Sequence, residues 1–179
     1  MTISEIRVYP DSILTQQARP VEEINDSIRQ FLQNMAETMY AASGIGLAAP
    51  QVGQSIRAIV VDASPAVEGE KLIKLVNPVM TFAEDRSSGE EGCLSLPGVS
   101  ETVTRADKIV VEAYNEDGNP VTIETETFLA TVMQHEIDHL DGILFIDHVS
   151  RLKRSIIKRK LLKAVSGKPK TAERAAGML

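Results

Sequence analysis

The amino-acid sequence predicts an α+β fold in which mixed or antiparallel strands pack around a central helix, with another helix near the C-terminus. Helical and strand-like segments do not alternate regularly along the chain, as a doubly wound parallel sheet would require. A hairpin pattern in the second half of the chain indicates antiparallel pairing. The chain has 179 residues, of which 43% are hydrophobic and 25% charged, and this is typical of one globular domain.

The first predicted helix covers residues 25–42. Ile28, Met35 and Met39 recur at helical spacing, which gives the segment one apolar face. Gly44 follows this segment, and glycine is the residue that most often ends a helix.

Four segments rich in β-branched and aromatic residues are predicted as strands: residues 56–62, 72–80, 108–114 and 121–126. Pro78 cannot donate to a sheet ladder, so the second of them is predicted to be an edge strand or to contain a bulge. The last two flank the turn-rich residues 115–120 and are predicted to form a hairpin.

Two further helices are predicted, over residues 126–141 and 149–165. Gly142 ends the first of them, and Gly167 and Pro169 end the second, which is amphipathic and basic. Residues 1–165 are therefore predicted to form a single domain, and residues 166–179 a flexible tail.

Charge is distributed unevenly along the chain. Residues 151–179 hold ten Lys and Arg and one acid, for a net charge of +9, whereas the preceding residues hold nine bases and 24 acids, for −15. A basic arm on an acidic body indicates an anionic partner. Charge alone favours the simpler alternative, a solvated helix face that folds back on the acidic body.

Several classes of protein are excluded by composition. No apolar run approaches the roughly 20 residues that a membrane helix needs, and the N-terminal residues lack the pattern of a secretory signal. Cys93 is the single cysteine and cannot form an internal disulfide, which fits a reducing compartment. We therefore expect a cytoplasmic protein whose partners include neither a membrane nor DNA.

The predicted helix over 126–141 contains the motif H-E-x-x-H at His135–His139. Imidazoles four residues apart lie on one helix face, roughly 5–6 Å apart, and can share a metal ion, with Glu136 close to a water on that ion. Phe128 and Val132 continue the same stripe, as a pocket wall leading to a metal would. The alternatives are a surface helix that carries the motif by chance and, for Val132, an ordinary core position.

A catalytic site of this kind keeps three protein ligands and one open position. Phe145 stands where an extended motif would place a third histidine, and the only downstream glutamate is Glu173, in the predicted tail. Three weaker candidates follow the helix break: Asp141, Asp147 and His148.

Cys93 is the strongest remaining candidate for the third ligand. A thiolate with two imidazoles suits zinc or ferrous iron. A lone cysteine is more often a small buried hydrophobe, but residues 90–98 are polar and rich in glycine and proline, unlike a core strand. We therefore predict that Cys93 is a ligand.

Three segments together resemble the motifs of bacterial-type, metal-dependent peptide deformylases: Gly44–Gln51 (GIGLAAPQ), Glu91–Ser95 (EGCLS) and Gln134–His139 (QHEIDH). They follow the family's order and spacing, and the match extends to about residue 165. The resemblance implies one divalent metal held by Cys93, His135 and His139. It also implies Fe²⁺ as the physiological ion, with Zn²⁺, Ni²⁺ or Co²⁺ as substitutes.

The resemblance also implies an activity, the removal of the formyl group from the N-terminal formyl-methionine of newly made polypeptides with release of formate. We expect Glu136 to handle the proton of a metal-activated water. The Gln51 side-chain amide and the Leu94 backbone N–H are expected to meet the oxyanion. Alternatives are an H-E-x-x-H metallopeptidase, or an inactive metal-binding module associated with the ribosome.

Substrate contacts are predicted from the first motif and from the apolar stripe. The backbone at Ile45 and Gly46 is expected to lie along the bound peptide. Ile45, Phe128 and Val132 are expected to line a pocket for the methionine side chain. Residues 44–49 also satisfy a dinucleotide fingerprint, but they follow a helix and precede a strand, which is the wrong order.

Two further contacts are expected outside the pocket. Arg105 is predicted to pair with Glu91 and brace the loop that carries Cys93. Family resemblance implies that the basic C-terminal helix, with Lys153–Lys163, docks on ribosomal RNA near the nascent-chain exit.

Overall fold

The computed structural model describes residues 3–66, 68–69, 71–126 and 128–166. Three α-helices are present in this part of the chain: α1 (Asp26–Ala41), α2 (Phe128–Leu140) and α3 (Arg151–Ser166). It also contains seven strands: β1 (Gly46–Ala48), β2 (Ala58–Val61), β3 (Ile73–Glu84), β4 (Ser87–Gly92), β5 (Ser100–Arg105), β6 (Lys108–Tyr114) and β7 (Pro120–Thr125). The α+β class is thus confirmed.

The strands form two sheets, and every pair of neighbouring strands is antiparallel. A five-stranded sheet has the order β1-β2-β3-β6-β7, and β4 and β5 form a separate two-stranded sheet. The predicted hairpin over residues 108–126 is confirmed as β6 and β7.

Helices α1 and α2 cover opposite faces of the large sheet. Ile59 and Val61 of β2 pack into the same buried cluster as Met133 of α2, whereas Val60 belongs to the cluster around Met35 of α1. Successive residues of a strand face opposite sides of the sheet, so β2 is apolar at every position. Ten of the 13 residues of α2 are themselves buried, which makes α2 a central helix of the fold.

Pro78 lies in a bulged strand, as predicted. The register of β3 against β6 shifts between Val76 and Val79 and again between Met80 and Phe82. The edge alternative is wrong, because β3 lies between β2 and β6 in the sheet. The register shift lets proline occupy an interior strand without breaking a regular ladder.

Strands β1, β4 and β5 were not predicted. Four residues of β4 and β5 pair as Gly89 with Val103 and Glu91 with Glu101, in a hairpin whose residues are mostly exposed and polar. Such a sequence has no hydrophobic alternation to indicate a strand. The hairpin matters because β4 ends at Gly92, immediately before Cys93.

Helix α3 packs beside the loop that follows Cys93. Ile157 and Leu161 of α3 share a buried cluster with Leu96 and Phe145. Ser166, the first residue of the predicted tail, is instead the last residue of α3. The other residues of the predicted tail, 167–179, lie outside the described residues. No helix in the described ranges combines the length and apolar character needed to cross a membrane.

Candidate functional site

Three side chains that could hold a metal ion lie close together. Cys93 follows β4, and His135 and His139 lie one turn apart on α2. Cys93 Sγ lies 3.2 Å from His139 Nε2, and one ligand atom from each of the three residues lies within 4.8 Å of the other two. The helical spacing of the motif and the end of the β4–β5 hairpin together produce this cluster.

His135 is oriented by a buried carboxylate. Its Nδ1 lies 2.9 Å from Glu91 Oε2. A carboxylate only accepts, so Nδ1 carries the proton and donates it to Glu91, which leaves Nε2 for a metal ion. Glu91 in turn accepts two hydrogen bonds from Arg105, at 2.8 and 3.0 Å. The predicted pairing of Arg105 with Glu91 is thus confirmed, whereas the contact between Glu91 and His135 was missed.

The pKa values follow from burial and from these contacts. Burial opposes the charge on Glu91, but hydrogen bonds from His135 and Arg105 outweigh it and lower the pKa of Glu91 to about 2. Burial likewise opposes the charge on His135, yet its hydrogen bonds to Cys93 and Glu91 raise its pKa to about 10. A His135 ring that ligates a metal ion carries its proton on Nδ1 alone. Burial, assisted by the charge on His135, lowers the pKa of His139 well below its usual value, so this ring is neutral as a ligand must be.

Glu136 lies buried beside the ligand cluster with one carboxylate oxygen unpaired. Its Oε2 has no hydrogen-bond partner within the described part of the chain. Burial raises the pKa of Glu136 to about 7. A Cβ placed on Gly46 would lie 2.3 Å from Glu136 Oε1, so the carboxylate packs directly against the glycine backbone. An unpaired carboxylate beside a thiol and two imidazoles fits a site that holds a metal ion and its water.

A cavity of about 740 Å³ opens above this cluster. This volume is in the usual range for small-ligand sites. The loop into β1 forms one wall, the end of β4 and the loop after Cys93 form the other, and α2 forms the floor. All four predicted substrate-contact residues line the cavity: Ile45, Gly46, Phe128 and Val132. Phe128 is 43% exposed, whereas Val132 is 6% exposed and also belongs to the core.

Gln51 reaches the cluster from the short helical turn after β1. Its Oε1 accepts from the Ala48 backbone N–H at 2.8 Å, which fixes the amide so that Nε2 points towards Cys93. Gln51 Nε2 lies 3.5 Å from Cys93 Sγ and donates to Ser95 Oγ at 3.1 Å. Ser95 was missed, since nothing in its sequence setting indicates this contact. The Leu94 backbone N–H donates to no backbone acceptor among the described residues.

The weaker downstream ligand candidates lie elsewhere. His148 contacts Asp138 at 2.7 Å, and Asp141 pairs with Arg57 at 2.6 Å. Asp147 accepts from the Leu144 backbone N–H and pairs with a residue of α3. None of the three belongs to the group formed by Cys93 and the two histidines.

Comparison with known proteins identifies the family. A family model described as polypeptide deformylase matches residues 3–155. The chain belongs to the polypeptide deformylase family. A peptide deformylase from Thermodesulfovibrio yellowstonii is 48% identical to this deformylase-family chain over 160 residues, which make up 89% of this chain and 97% of that protein.

Solved peptide deformylases share the fold. The crystal structure of one from Legionella pneumophila has a TM-score of 0.85 at 42% identity, covering 94% of this chain and 100% of that one. Another, from Ehrlichia chaffeensis in complex with actinonin, has a TM-score of 0.87 at 34% identity, covering 92% and 98% of the two chains. In this member of the deformylase family, the three sequence motifs meet around one cavity.

Proposed function

We propose that this chain removes the formyl group from the N-terminal formyl-methionine of newly made polypeptides by hydrolysis, with release of formate. The observation that carries the proposal is the juxtaposition of Cys93, His135 and His139 with the unpaired carboxylate of Glu136 at the base of a cavity, in a chain of the deformylase family. This arrangement suits hydrolysis of an amide that is held in the cavity by the residues around it.

Cys93, His135 and His139 would hold one divalent metal ion. Such an ion supplies Lewis-acid activation of water near neutral pH. Glu91 holds the His135 ring in the tautomer that can ligate, and Arg105 holds Glu91. We propose Fe²⁺ as the physiological ion, with Zn²⁺, Ni²⁺ or Co²⁺ as substitutes, on the ground of the resemblance to the deformylase family. One thiolate with two imidazoles is compatible with these ions but does not select among them.

Glu136 is the proton carrier of the reaction. Its buried Oε2 accepts a proton from the attacking water and delivers it to the leaving amine nitrogen. A pKa near the operating pH is the most effective value for this exchange, and burial raises the pKa of Glu136 to about 7.

Two donors stabilise the oxyanion that forms on the formyl oxygen. The Gln51 amide is held in place by its hydrogen bond from the Ala48 backbone N–H, and the Leu94 backbone N–H lies in the loop directly after Cys93. The loss of one such donor typically costs about 2.7–4 kcal/mol of transition-state stabilisation.

The peptide binds along β1. This strand lies at an edge of the large sheet and lines the cavity, so the backbone at Ile45 and Gly46 can pair with an extended substrate. Ile45, Phe128 and Val132 receive the methionine side chain, which is long and apolar like the cavity wall.

The remaining assignments concern the whole chain. Residues 1–165 form one catalytic domain, and the enzyme works in the cytoplasm, where its single cysteine stays reduced. The tail predicted over residues 166–179 lies outside the described residues, apart from Ser166. Its basic helix α3 docks on the ribosome. Exposed basic and apolar residues on the outer face of α3 support this docking: Leu152, Ile156, Arg159 and Lys163.

The test incubates anaerobically purified enzyme with three kinds of peptide and compares their turnover. Formyl-Met-Ala-Ser should release formate, whereas acetyl-Met-Ala-Ser and longer peptides with no formyl group should remain intact. Glu136→Ala should keep its metal and lose turnover by about 10²–10⁴-fold, the usual contribution of a positioned acid–base group. Cleavage of internal peptide bonds would instead favour the metallopeptidase alternative, and bound metal without any turnover would favour an inactive module.

A further inference from the structure

A chain of polar contacts runs from His135, in the cluster of candidate metal ligands, to the far side of α2. Arg105, which holds Glu91, places its second terminal nitrogen 2.5 Å from Asp138 Oδ2. The same oxygen lies 2.7 Å from His148 Nε2. The order of contacts is therefore His135, Glu91, Arg105, Asp138 and His148. One end is a proposed metal ligand, and the other is a residue with no part in the mechanism described above.

Side-chain exposure rises along this chain of contacts from Glu91 outward. The side chains of Glu91 and Arg105 are 6% and 7% exposed, that of Asp138 is 19% exposed, and that of His148 is 35% exposed. A guanidinium this deeply buried requires carboxylate partners to offset the loss of its hydration. Arg105 has two such partners, one on each side, and the second of them is fixed by His148.

His148 restrains Asp138 from the solvent side. Because a carboxylate only accepts, the contact of 2.7 Å is a hydrogen bond donated by His148 Nε2 to Asp138 Oδ2. Asp138 lies on α2 between the two histidines of the motif, yet its carboxylate points away from the metal cluster and towards Arg105. A free Asp138 side chain could rotate into solvent, and Arg105 would then lose its second anchor.

A second cavity, of about 370 Å³, lies at this end of the network. Arg105, Asp138 and His148 line it, together with the ion pair between Arg57 and Asp141. The network thus joins two cavities on opposite sides of α2, and His148 is its solvent-facing end.

We propose that Asp138 and His148 are positioning residues of the metal centre. Through Arg105 they hold Glu91 in the place where it fixes the ring of His135. Groups that orient a ligating histidine typically contribute 10–100-fold to metal affinity or activity. This inference rests on the proposed function only for the identity of the metal ligands, and its effect is on metal binding rather than on substrate contact.

The test measures Zn²⁺ affinity by competition with a chelator and the visible absorption spectrum of the Co²⁺-loaded enzyme. Asp138→Asn and His148→Ala should each lower Zn²⁺ affinity by about tenfold, which is the lower end of the range for groups that orient a ligand. Each should also shift the Co²⁺ spectrum. His148→Gln, which keeps an N–H donor, should restore both. Asp141→Asn is the matched control, because it breaks an ion pair on the wall of the same cavity but lies outside the network.

His148 Nε2 also lies 3.4 Å from Arg105 Nη1, but a ring nitrogen that donates to Asp138 cannot accept from a guanidinium, so His148 acts through Asp138. The double variant Asp138→Asn with His148→Ala should therefore lose no more affinity than Asp138→Asn alone. Thermal unfolding of each metal-free variant separates this effect from a general loss of stability. Wild-type affinity in His148→Ala, or an equal loss in Asp141→Asn, would overturn the proposal. Absence of formate release from the metal-loaded wild type, with the affinity losses still present, would refute the proposed function and leave this inference standing.

Discussion

Glu136 is the residue on which the proposed chemistry depends most, and its position depends on a glycine. The motif H-E-x-x-H predicted Glu136 from sequence, because helical spacing is local. Its packing against Gly46 was not predicted, because the two residues lie 90 positions apart in the sequence. The same limit hid the hydrogen bond between Glu91 and His135. Local motifs thus identified the chemistry-bearing residues, whereas their supporting contacts required the fold.

Gly46→Ala is expected to disable turnover while leaving metal binding intact. The added methyl group would lie 2.3 Å from Glu136 Oε1, so the carboxylate must move. We predict a fall in kcat of at least about 100-fold, the lower end of the contribution of a positioned acid–base group. Steady-state kinetics and metal analysis on the same sample measure both effects.

Gly89→Ala serves as the control for this substitution. Gly89 lies on β4, and a Cβ added there meets no atom within 4 Å. Its turnover should match that of the wild type. Full activity in Gly46→Ala would show that Glu136 does not need its present position.

A side-chain contact joins helix α1 to the residue that follows strand β2. The Tyr40 hydroxyl donates to Asp62 Oδ2 at 2.5 Å, and the Asp62 backbone N–H donates to the Ile45 carbonyl at 2.8 Å. The predicted bounds of α1 and of the strand at residues 56–62 follow from hydrophobic periodicity. The two elements pack through apolar residues that show this periodicity, whereas the polar contact between Tyr40 and Asp62 has no such signal in the sequence. The β4–β5 hairpin escaped prediction for the same reason, since its residues are mostly polar and exposed.

Tyr40→Phe is expected to reduce stability in a manner that depends on pH. The hydrogen bond from Tyr40 is the main cause that lowers the pKa of Asp62 below its usual 3.8, with a further contribution from Ser64. A lowered carboxyl pKa stabilises the folded state above the unfolded-state value, and this stabilisation is lost as the pH falls below about 3.8.

Denaturant unfolding at several pH values measures this dependence. At pH 7 the variant should be less stable than the wild type by about 1 kcal/mol, the usual net value of one hydrogen bond. The difference should shrink as the pH is lowered below 3.8. A difference that stays constant over this pH range would show that Tyr40 acts through packing rather than through the carboxylate.

The charge asymmetry of the molecule is partly neutralised within the fold. Lys153 of α3 pairs with Glu101 at 2.7 Å, and Arg154 pairs with Asp147 at 3.1 Å. The sequence hypothesis of a helix that folds back on the acidic body therefore applies to these two residues. Arg159 and Lys163 are exposed and have no ion-pair partner among the described residues. Composition could predict the basic helix, but only the packing of its inner face determines which charges remain outward.

Arg159→Gln with Lys163→Gln is expected to weaken ribosome binding without changing peptide turnover. Each cation that contacts a phosphate releases about one counterion, so the variant should bind ribosomes more weakly. The slope of log affinity against log salt concentration should also fall in magnitude by about two. Sedimentation with ribosomes at several salt concentrations measures both. The matched control Lys153→Gln removes a charge already paired with Glu101 and should have a smaller effect. An unchanged salt dependence in the double variant would exclude this face of α3 as the docking surface.

The central claim is that one metal ion is held by Cys93, His135 and His139 in a chain that brings three distant motifs to one cavity. X-ray absorption at the metal edge of the active enzyme tests this claim most directly. For the zinc form we predict one sulfur ligand at about 2.3 Å and two imidazole nitrogens at about 2.0–2.1 Å. A first coordination sphere without sulfur, or with fewer than two imidazoles, would contradict it.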